Sequence, residues 1–444
     1  MISENAAAPR RRGFGLSGYQ WTVLLAAWLG WGFDVFDGQL FNFVAPNAVP
    51  TLLHLRIGSP AANAAVPAWT GPMNSVLLLG WAAGGILFGA VADRIGRTKT
   101  LMYTILLYAV GTACCAIAPN IGWLFVFRTI SGLGIGGEWA AGAALVAEVV
   151  PEERRVEAGA LLYTSAPIFL MFATFLNKII AGVYLKENPS VSWRYVLLSG
   201  LLPVAFAVLV RVFVREPERW KAARDTAPAR LAELFRPENR AAVISGLIPA
   251  VTVLIAWWSS NAFLSVLSSS LARNSLQAAT LDKAHLQALI GHYQEIANYS
   301  FDIGGLIGTL LTITAAYRLG RRRMFFLYFL FAAISFFCVF GLPLAPETRL
   351  YGFFFIGLTI FGVFGSFTYY LPELFPTRLR ATGSGFCYNI GRIIASIGPL
   401  VVGLVAKNGL PSMLHALLAV GFVPLIGILF LPWVIETRGK GLPD

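Results

Sequence analysis

The sequence predicts an all-α membrane protein with twelve transmembrane helices in two six-helix halves. Three observations carry that prediction. The chain has 444 residues, of which 57% are hydrophobic and only 13% charged, and its mean hydropathy is +0.68. A soluble domain carries about a quarter charged residues. Apolar stretches long enough to cross a bilayer recur twelve times along the chain. The second half then repeats landmarks of the first at an almost constant offset.

The elements follow in order. Residues 1–18 are a polar tail with Arg10, Arg11 and Arg12. The apolar segment after them runs past residue 40 without a cleavage site, so it reads as a retained helix and not a signal peptide. The first half, 19–214, contains spans at about 19–46, 72–92, 100–118, 121–149, 156–186 and 193–214. Prolines 50, 60 and 67 place an outer loop at 47–71. Residues 215–240 are charged, contain Pro217, Pro228 and Pro237, and form a linker between halves. The second half, 241–435, holds spans at about 241–268, 286–317, 324–343, 348–371, 381–407 and 411–435, with an outer polar loop at 269–285. Residues 436–444 are a second tail.

Charge fixes the expected orientation. The formal net charge is +12. The basic residues cluster at Arg10–Arg12, Arg94–Lys99, Arg154–Arg155, Arg211–Arg240, Arg318–Arg323, Arg378–Arg380 and Arg438–Lys440, while alternate loops are poor in them. The positive-inside rule then puts both termini and the linker in the cytoplasm of a multi-pass cell (inner or plasma) membrane protein. The charges flank spans and form no continuous patch, which argues against a nucleic-acid partner. Cys114, Cys115, Cys338 and Cys387 all fall in apolar segments and read as unpaired packing residues. His54, His285, His292 and His415 show no metal spacing. No nucleophile–base constellation appears either, so the chain does not read as an enzyme. The expected partners are lipid and a small-molecule substrate, acting on a monomer. No cofactor is expected beyond a coupling proton.

The repeat is carried by two anchors. Asp93-Arg94-Ile-Gly96-Arg97 has its counterpart in Tyr317-Arg318-Leu-Gly320-Arg321, 224 residues on. Glu148-Val-Val-Pro151, with Arg155 and Gly159, has its counterpart in Glu373-Leu-Phe-Pro376, with Arg380 and Gly383. The stretch Gly89-Ala-Val-Ala-Asp93-Arg94-Ile-Gly96-Arg97-Thr-Lys99 resembles the loop signature between the second and third helices of the major facilitator superfamily. Gly84, Gly85 and Gly89 precede it as a small-residue stripe that admits a neighbouring helix. The resemblance implies a six-plus-six duplication, substrate bound at the midplane, and halves that rock about it. It also implies gating at the inner face. There Asp93 and its arginines latch the halves, and loop arginines bind the span-end acids Glu148 and Glu373. Gly89, Arg94, Gly96, Arg97, Arg155, Arg318, Arg321 and Arg380 belong to that set. Tyr317 stands where the signature wants an acid, so one latch of the two is expected to be complete.

Ionisable residues at membrane depth are costly and therefore candidates for function. Asp34 and Asp37 lie three apart in the first span, on one helical face. If close together, one of them holds its proton. The blander alternative has one paired with an arginine and the other facing water. Arg128 opens a glycine ladder in the fourth span and requires a counter-charge, for which these acids are candidates. Its surroundings resemble the Arg-x-x-x-Gly-x-Gly motif of proton-coupled sugar and organic-acid transporters. Glu138 reads equally as structural or functional, and Lys178 reads as snorkelling to the outer surface. In the second half Glu295, Asn298 and Asp302 share one face. Asn389, Arg392 and Ser396 share another. Arg392 either grips a substrate carboxylate in a two-pronged fashion or is neutralised by Asp302. Gln39, Asn261, Ser259, Ser260, Trp257 and Trp258 complete the candidate cavity set.

Asp34-x-Phe-Asp37 with Pro46 resembles the first-helix motif of aromatic-acid:proton and sialate:proton symporters, with Val35 in place of the usual glycine. Gly136-Gly137-Glu138-Trp139, Pro372-Glu373-Leu-Phe-Pro376-Thr377 and Gly391-Arg392 are similar to those families and to metabolite:proton carriers. The function that follows is proton-coupled symport of a small organic anion by alternating access. The anion would be a monocarboxylate, sugar acid or aromatic acid. A sugar or neutral-metabolite carrier, an organic-cation or drug exporter, and a non-transporting sensor are the competing readings.

Overall fold

The computed structural model describes residues 15–95, 97–151, 154–205, 231–275, 278, 280–376 and 379–439. The described chain is helical almost throughout. Span 1 is Gly18–Leu52, span 2 Pro60–Ile95, span 3 Arg97–Ala116 and span 4 Ile121–Val149. Span 5 is built of Arg155–Tyr163, Ser165–Asn177 and a π-helical turn at Lys178–Tyr184. Span 6 begins at Pro189–Leu198. Span 7 is broken into Pro237–Asn261 and Leu264–Arg273, and span 8 is the long helix Lys283–Leu319. Span 9 is Arg321–Gly341. Span 10 contains Pro346–Ile356, a π-helical turn at Gly357–Phe361, and Gly362–Glu373. Span 11 is Arg380–Ala395 and Ile397–Ala406, and span 12 is Leu410–Val420 and Phe422–Phe430.

Among the described residues, nine helices are long and apolar enough to cross a membrane. Span 1 is long enough but carries Asp34, Asp37, Gln39, Asn42 and Asn47. Span 4 is apolar over Ile121–Gly137, and span 6 leaves the described residues after 205.

The outer loop expected at 47–71 is far shorter. Span 1 continues through Pro46 and Pro50 to Leu52, and span 2 starts at Pro60 and passes through Pro67 and Pro72. A proline removes one ladder bond, but a helix packed on its neighbours tolerates that loss. Pro60 sits at the helix start, where its missing N–H costs nothing. The loop at 269–285 is likewise shortened by the second piece of span 7. Helix resumes at Pro237, inside the expected linker.

Close approach of backbones holds each half together. A Cβ at Gly84 would strike the Leu133 carbonyl of span 4, and one at Gly136 would strike the Trp81 carbonyl of span 2. Gly85 instead faces Asn389 of span 11, where a Cβ would lie 2.7 Å from the amide nitrogen. Nothing lies within contact distance of Gly89. Gly320 separates spans 8 and 9 with φ +84°, a conformation that suits glycine.

The halves meet along spans 2 and 11 on one side and spans 5 and 8 on the other, with span 1 against the second piece of span 7. Spans 2 and 11 touch at Ser75, whose hydroxyl donates to the Ser396 carbonyl at 2.6 Å. Spans 5 and 8 are tied by the Lys178–Glu295 ion pair at 2.9 Å. The two contacts are related by exchanging the halves.

Candidate functional site

A cavity lies between the halves, at mid-length of the helices. It is narrow, with a volume of about 20 Å³, room for little more than a water molecule. The first half supplies Trp31, Val35 and Gln39 from span 1, Trp81 from span 2, and Tyr163 and Ala166 from span 5. The second supplies Leu254, Trp257 and Trp258 from span 7, Phe361 and Phe364 from span 10, and Tyr388 and Arg392 from span 11. Trp31, Val35 and Gln39 recur every four residues, so one face of span 1 forms this wall.

Arg392 is the charged member of the lining. Its side chain is 2% exposed. The guanidinium donates from Nη1 to Asn389 Oδ1 at 2.8 Å. Its Cζ lies 4.5 Å from the centre of the Trp81 ring and 4.2 Å from that of Tyr388. Two rings at these distances hold a guanidinium by cation–π attraction. Asp34, fully buried on span 1, lies within Coulombic range of Arg392. Asp302 does not reach Arg392. It is buried on span 8 with Oδ2 outside any hydrogen bond. Of the two alternatives for Arg392, neutralisation by Asp302 is not seen; the acid in its electrostatic range is Asp34, across the halves.

The two first-span acids face different surroundings. Asp37 accepts a hydrogen bond from Thr112 Oγ1 at 2.6 Å, and that hydroxyl lies 2.9 Å from Ser131 Oγ. Arg128 is its charged neighbour. The arginine forms no direct ion pair with it; Nη2 donates to the Gly38 carbonyl at 2.9 Å and Cζ stands 5.2 Å from the Phe41 ring. Space for the Asp37 carboxylate exists because residue 200 is glycine: a Cβ there would lie 2.6 Å from Oδ1. Their shared helical face thus splits between neighbours. Asp37 points among spans 3, 4 and 6, and Asp34 stays in range of span 11. A common proton shared by the two acids does not follow.

The remaining candidates spread around this centre. Gln39 accepts from the Asn42 amide, and Asn42 accepts from Asn74 at 2.7 Å. Asn298 donates to the Gln294 carbonyl and to Ser265 Oγ at 3.4 Å, so it belongs to a polar seam between spans 7 and 8. Asn261 is buried at the end of the first piece of span 7. Lys178 does not merely snorkel, because it bonds Glu295.

At the face where span 1 begins and span 12 ends, hereafter the terminal face, Arg321 grips Glu373 with two bonds of 3.1 and 2.6 Å. Both residues belong to the second half, so this pair does not bridge the halves. Thr437 also donates to Glu373, at 2.5 Å. Glu436 accepts from the backbone N–H groups of Arg321, Arg322 and Arg438. Burial alone would push its carboxyl up, but these bonds hold it below the usual glutamate range. Arg380 donates to the Pro372 carbonyl at 3.1 Å. The carbonyl of Arg318 accepts from Arg438 at 2.9 Å. Tyr317, which replaces the signature acid, lies within electrostatic range of Glu157 in the first half. Gly96 lies outside the described residues, as do the side chains of Asp93, Arg94, Arg97, Glu138, Glu148 and Arg155.

Sequence reasoning missed the aromatic wall beyond Trp257 and Trp258. Trp31, Trp81, Tyr163, Phe361, Phe364 and Tyr388 are ordinary residues in a helix rich in apolar neighbours. The four-residue recurrence of Trp31, Val35 and Gln39 was the available signal.

Comparison with known proteins gives the family and the fold. The family model described as Major Facilitator Superfamily matches residues 27–399. A putative metabolite transport protein of Haemophilus influenzae is 30% identical over 443 residues, covering 96% of this chain and 99% of that protein. A probable 4-methylmuconolactone transporter of Cupriavidus pinatubonensis is 28% identical, covering 94% and 91%. The crystal structure of a D-xylose-proton symporter superimposes with a TM-score of 0.72 at 16% identity, covering 96% of this chain and 100% of that one.

Proposed function

The chain belongs to the major facilitator superfamily and is a membrane transporter, and we propose that it carries a small, planar organic anion together with a proton. One observation supports this most strongly. Among the cavity-lining residues Arg392 is the one charged side chain, and aromatic rings form most of the rest of the wall. A guanidinium keeps its charge at any working pH and matches a carboxylate with two parallel bonds. Flat aromatic walls favour a flat, conjugated substrate body over a globular one. One relative is described as a probable 4-methylmuconolactone transporter.

The position of Asp34 in electrostatic range of Arg392 supports proton coupling. A substrate carboxylate at Arg392 would sit beside a second carboxylate in a dry cavity. Like charges there repel, so binding of the anion and protonation of Asp34 favour each other. Such linkage is reciprocal, which is what symport requires. Asp37 and Arg128 form a second proton-sensitive site behind the wall. The Arg128 bond to Gly38 carries its state to the backbone next to Gln39. With the terminal face in the cytoplasm of a cell membrane, the proton gradient drives uptake.

A thermal-shift panel of benzoate, nicotinate, D-xylose and tetraphenylphosphonium tests the substrate class. Stabilisation by the carboxylates alone is expected. Stabilisation by xylose alone favours the sugar reading, and by the phosphonium alone the cation exporter.

A further inference from the structure

We propose that Tyr163 and Tyr388 form the gate that closes the cavity toward the terminal face. The two hydroxyls are 3.5 Å apart, one from each half of the protein. The residues are 225 positions apart, the same offset that relates Glu148 to Glu373. They are thus repeat-related residues that meet where the halves meet. Each lies eight residues after the start of its helix, Arg155 or Arg380. At 1.5 Å per residue both sit about 12 Å in from the terminal face. Arg392 and Ala166 lie one turn deeper on the same two helices. The tyrosine pair therefore stands between the Arg392 site and that face.

Packing makes the pair a shutter and not a chance contact. The Tyr163 ring stacks on Phe364 at 5.7 Å with 12° between planes, and lies 5.6 Å from Trp31. Tyr388 packs against Phe367 at 6.0 Å and Phe364 at 6.4 Å. Both tyrosines are nearly buried, at 5% and 3% exposure.

A hinge adjoins one of them. The backbone stays helical through Thr164, at φ −61° and ψ −20°, so the weak point is in the hydrogen-bond ladder. Pro167 has no N–H to offer the Tyr163 carbonyl, which weakens the ladder at this point. The segment Arg155–Tyr163 is then a short lever able to swing Tyr163 away from Tyr388. Tyr388 also carries the Arg392 guanidinium on its ring, so gate and site share a residue.

The gate rests on the chain being a transporter and not on its substrate, so the test uses no ligand. Ala166→Cys places a reporter in the cavity wall. Sealed vesicles of known orientation are treated from either side with a membrane-impermeant methanethiosulfonate. Labelling is taken as the increment over the same protein without the reporter, which removes the four native cysteines from the count. Adding Tyr163→Ala and Tyr388→Ala should raise reporter labelling at least tenfold from the terminal face and leave the opposite face unchanged. Should that variant fail to fold, the pair Tyr163→Phe and Tyr388→Phe keeps the rings, and a rise of at least threefold from the terminal face is expected. An unchanged rate in folded protein overturns the proposal. So does an equal rise from both faces, which would indicate general loosening.

Discussion

Replacing Arg392 with lysine keeps the charge and removes the fork. A carboxylate gripped by a guanidinium receives two parallel N–H bonds, and an ammonium supplies one directed bond of that kind. A charge-assisted hydrogen bond is worth about 1.5–3 kcal/mol. With 1.4 kcal/mol per decade of affinity, Arg392→Lys should weaken benzoate or nicotinate binding roughly 10- to 150-fold. Arg392→Met removes the charge as well, and about 2–5 kcal/mol is expected from truncating one partner of a buried charge pair. That variant also strands Asp34, which now sits in range of the guanidinium. Its stability should fall, and Asp34→Asn in the same chain should restore stability without restoring anion binding. Calorimetry on purified protein reads both affinities. The matched amides, benzamide and nicotinamide, isolate the charge, and neither variant should alter their weak binding. Equal affinity of the parent protein for acid and amide would refute the reasoning. So would Arg392→Met binding benzoate as tightly as the parent.

Other expected outcomes follow from the same geometry. Asp34→Asn should abolish accumulation of labelled substrate in vesicles while exchange persists; undiminished accumulation would contradict the coupling role. Gly200→Ala should reproduce the transport defect of Asp37→Asn, because its Cβ would crowd Oδ1; uptake at parental rates in both variants would show that Asp37 is a packing residue. Glu373→Gln breaks the two-bond contact with Arg321 and should cost about 3 kcal/mol of stability, read as a lower unfolding temperature in detergent. Glu436→Gln should lower stability at pH 7. Its depressed carboxyl contributes only while ionised, so the difference between variant and parent should vanish as pH falls through the carboxylate range.

The helices were readable because membrane crossing imposes a length and a composition, and the repeat offset divided them into halves. Their ends were less so. Pro50, Pro60 and Pro67 looked like a loop, since in water a proline ends a helix; between packed helices the missing bond is tolerated. Single charges at depth were readable as candidates, since burying a carboxylate or a guanidinium in a membrane is costly. Their partners were not. Asp34 and Asp37 share a helical face by spacing, yet three residues still leave about 60° between them. That angle suffices to send one toward Thr112 and leave the other in range of Arg392. Lys178 shows the same limit: its pairing with Glu295 depends on how spans 5 and 8 are laid together, which local sequence does not encode.

The central claim is that anion and proton move together. Proteoliposomes loaded with a pH-sensitive dye, with no gradient imposed, test it directly. Addition of a bound planar carboxylate should acidify the lumen faster than in protein-free liposomes. The excess should disappear in Asp34→Asn and in Arg392→Met. Carboxylate entry at the parental rate with no excess proton movement would contradict the account and leave a uniporter in its place.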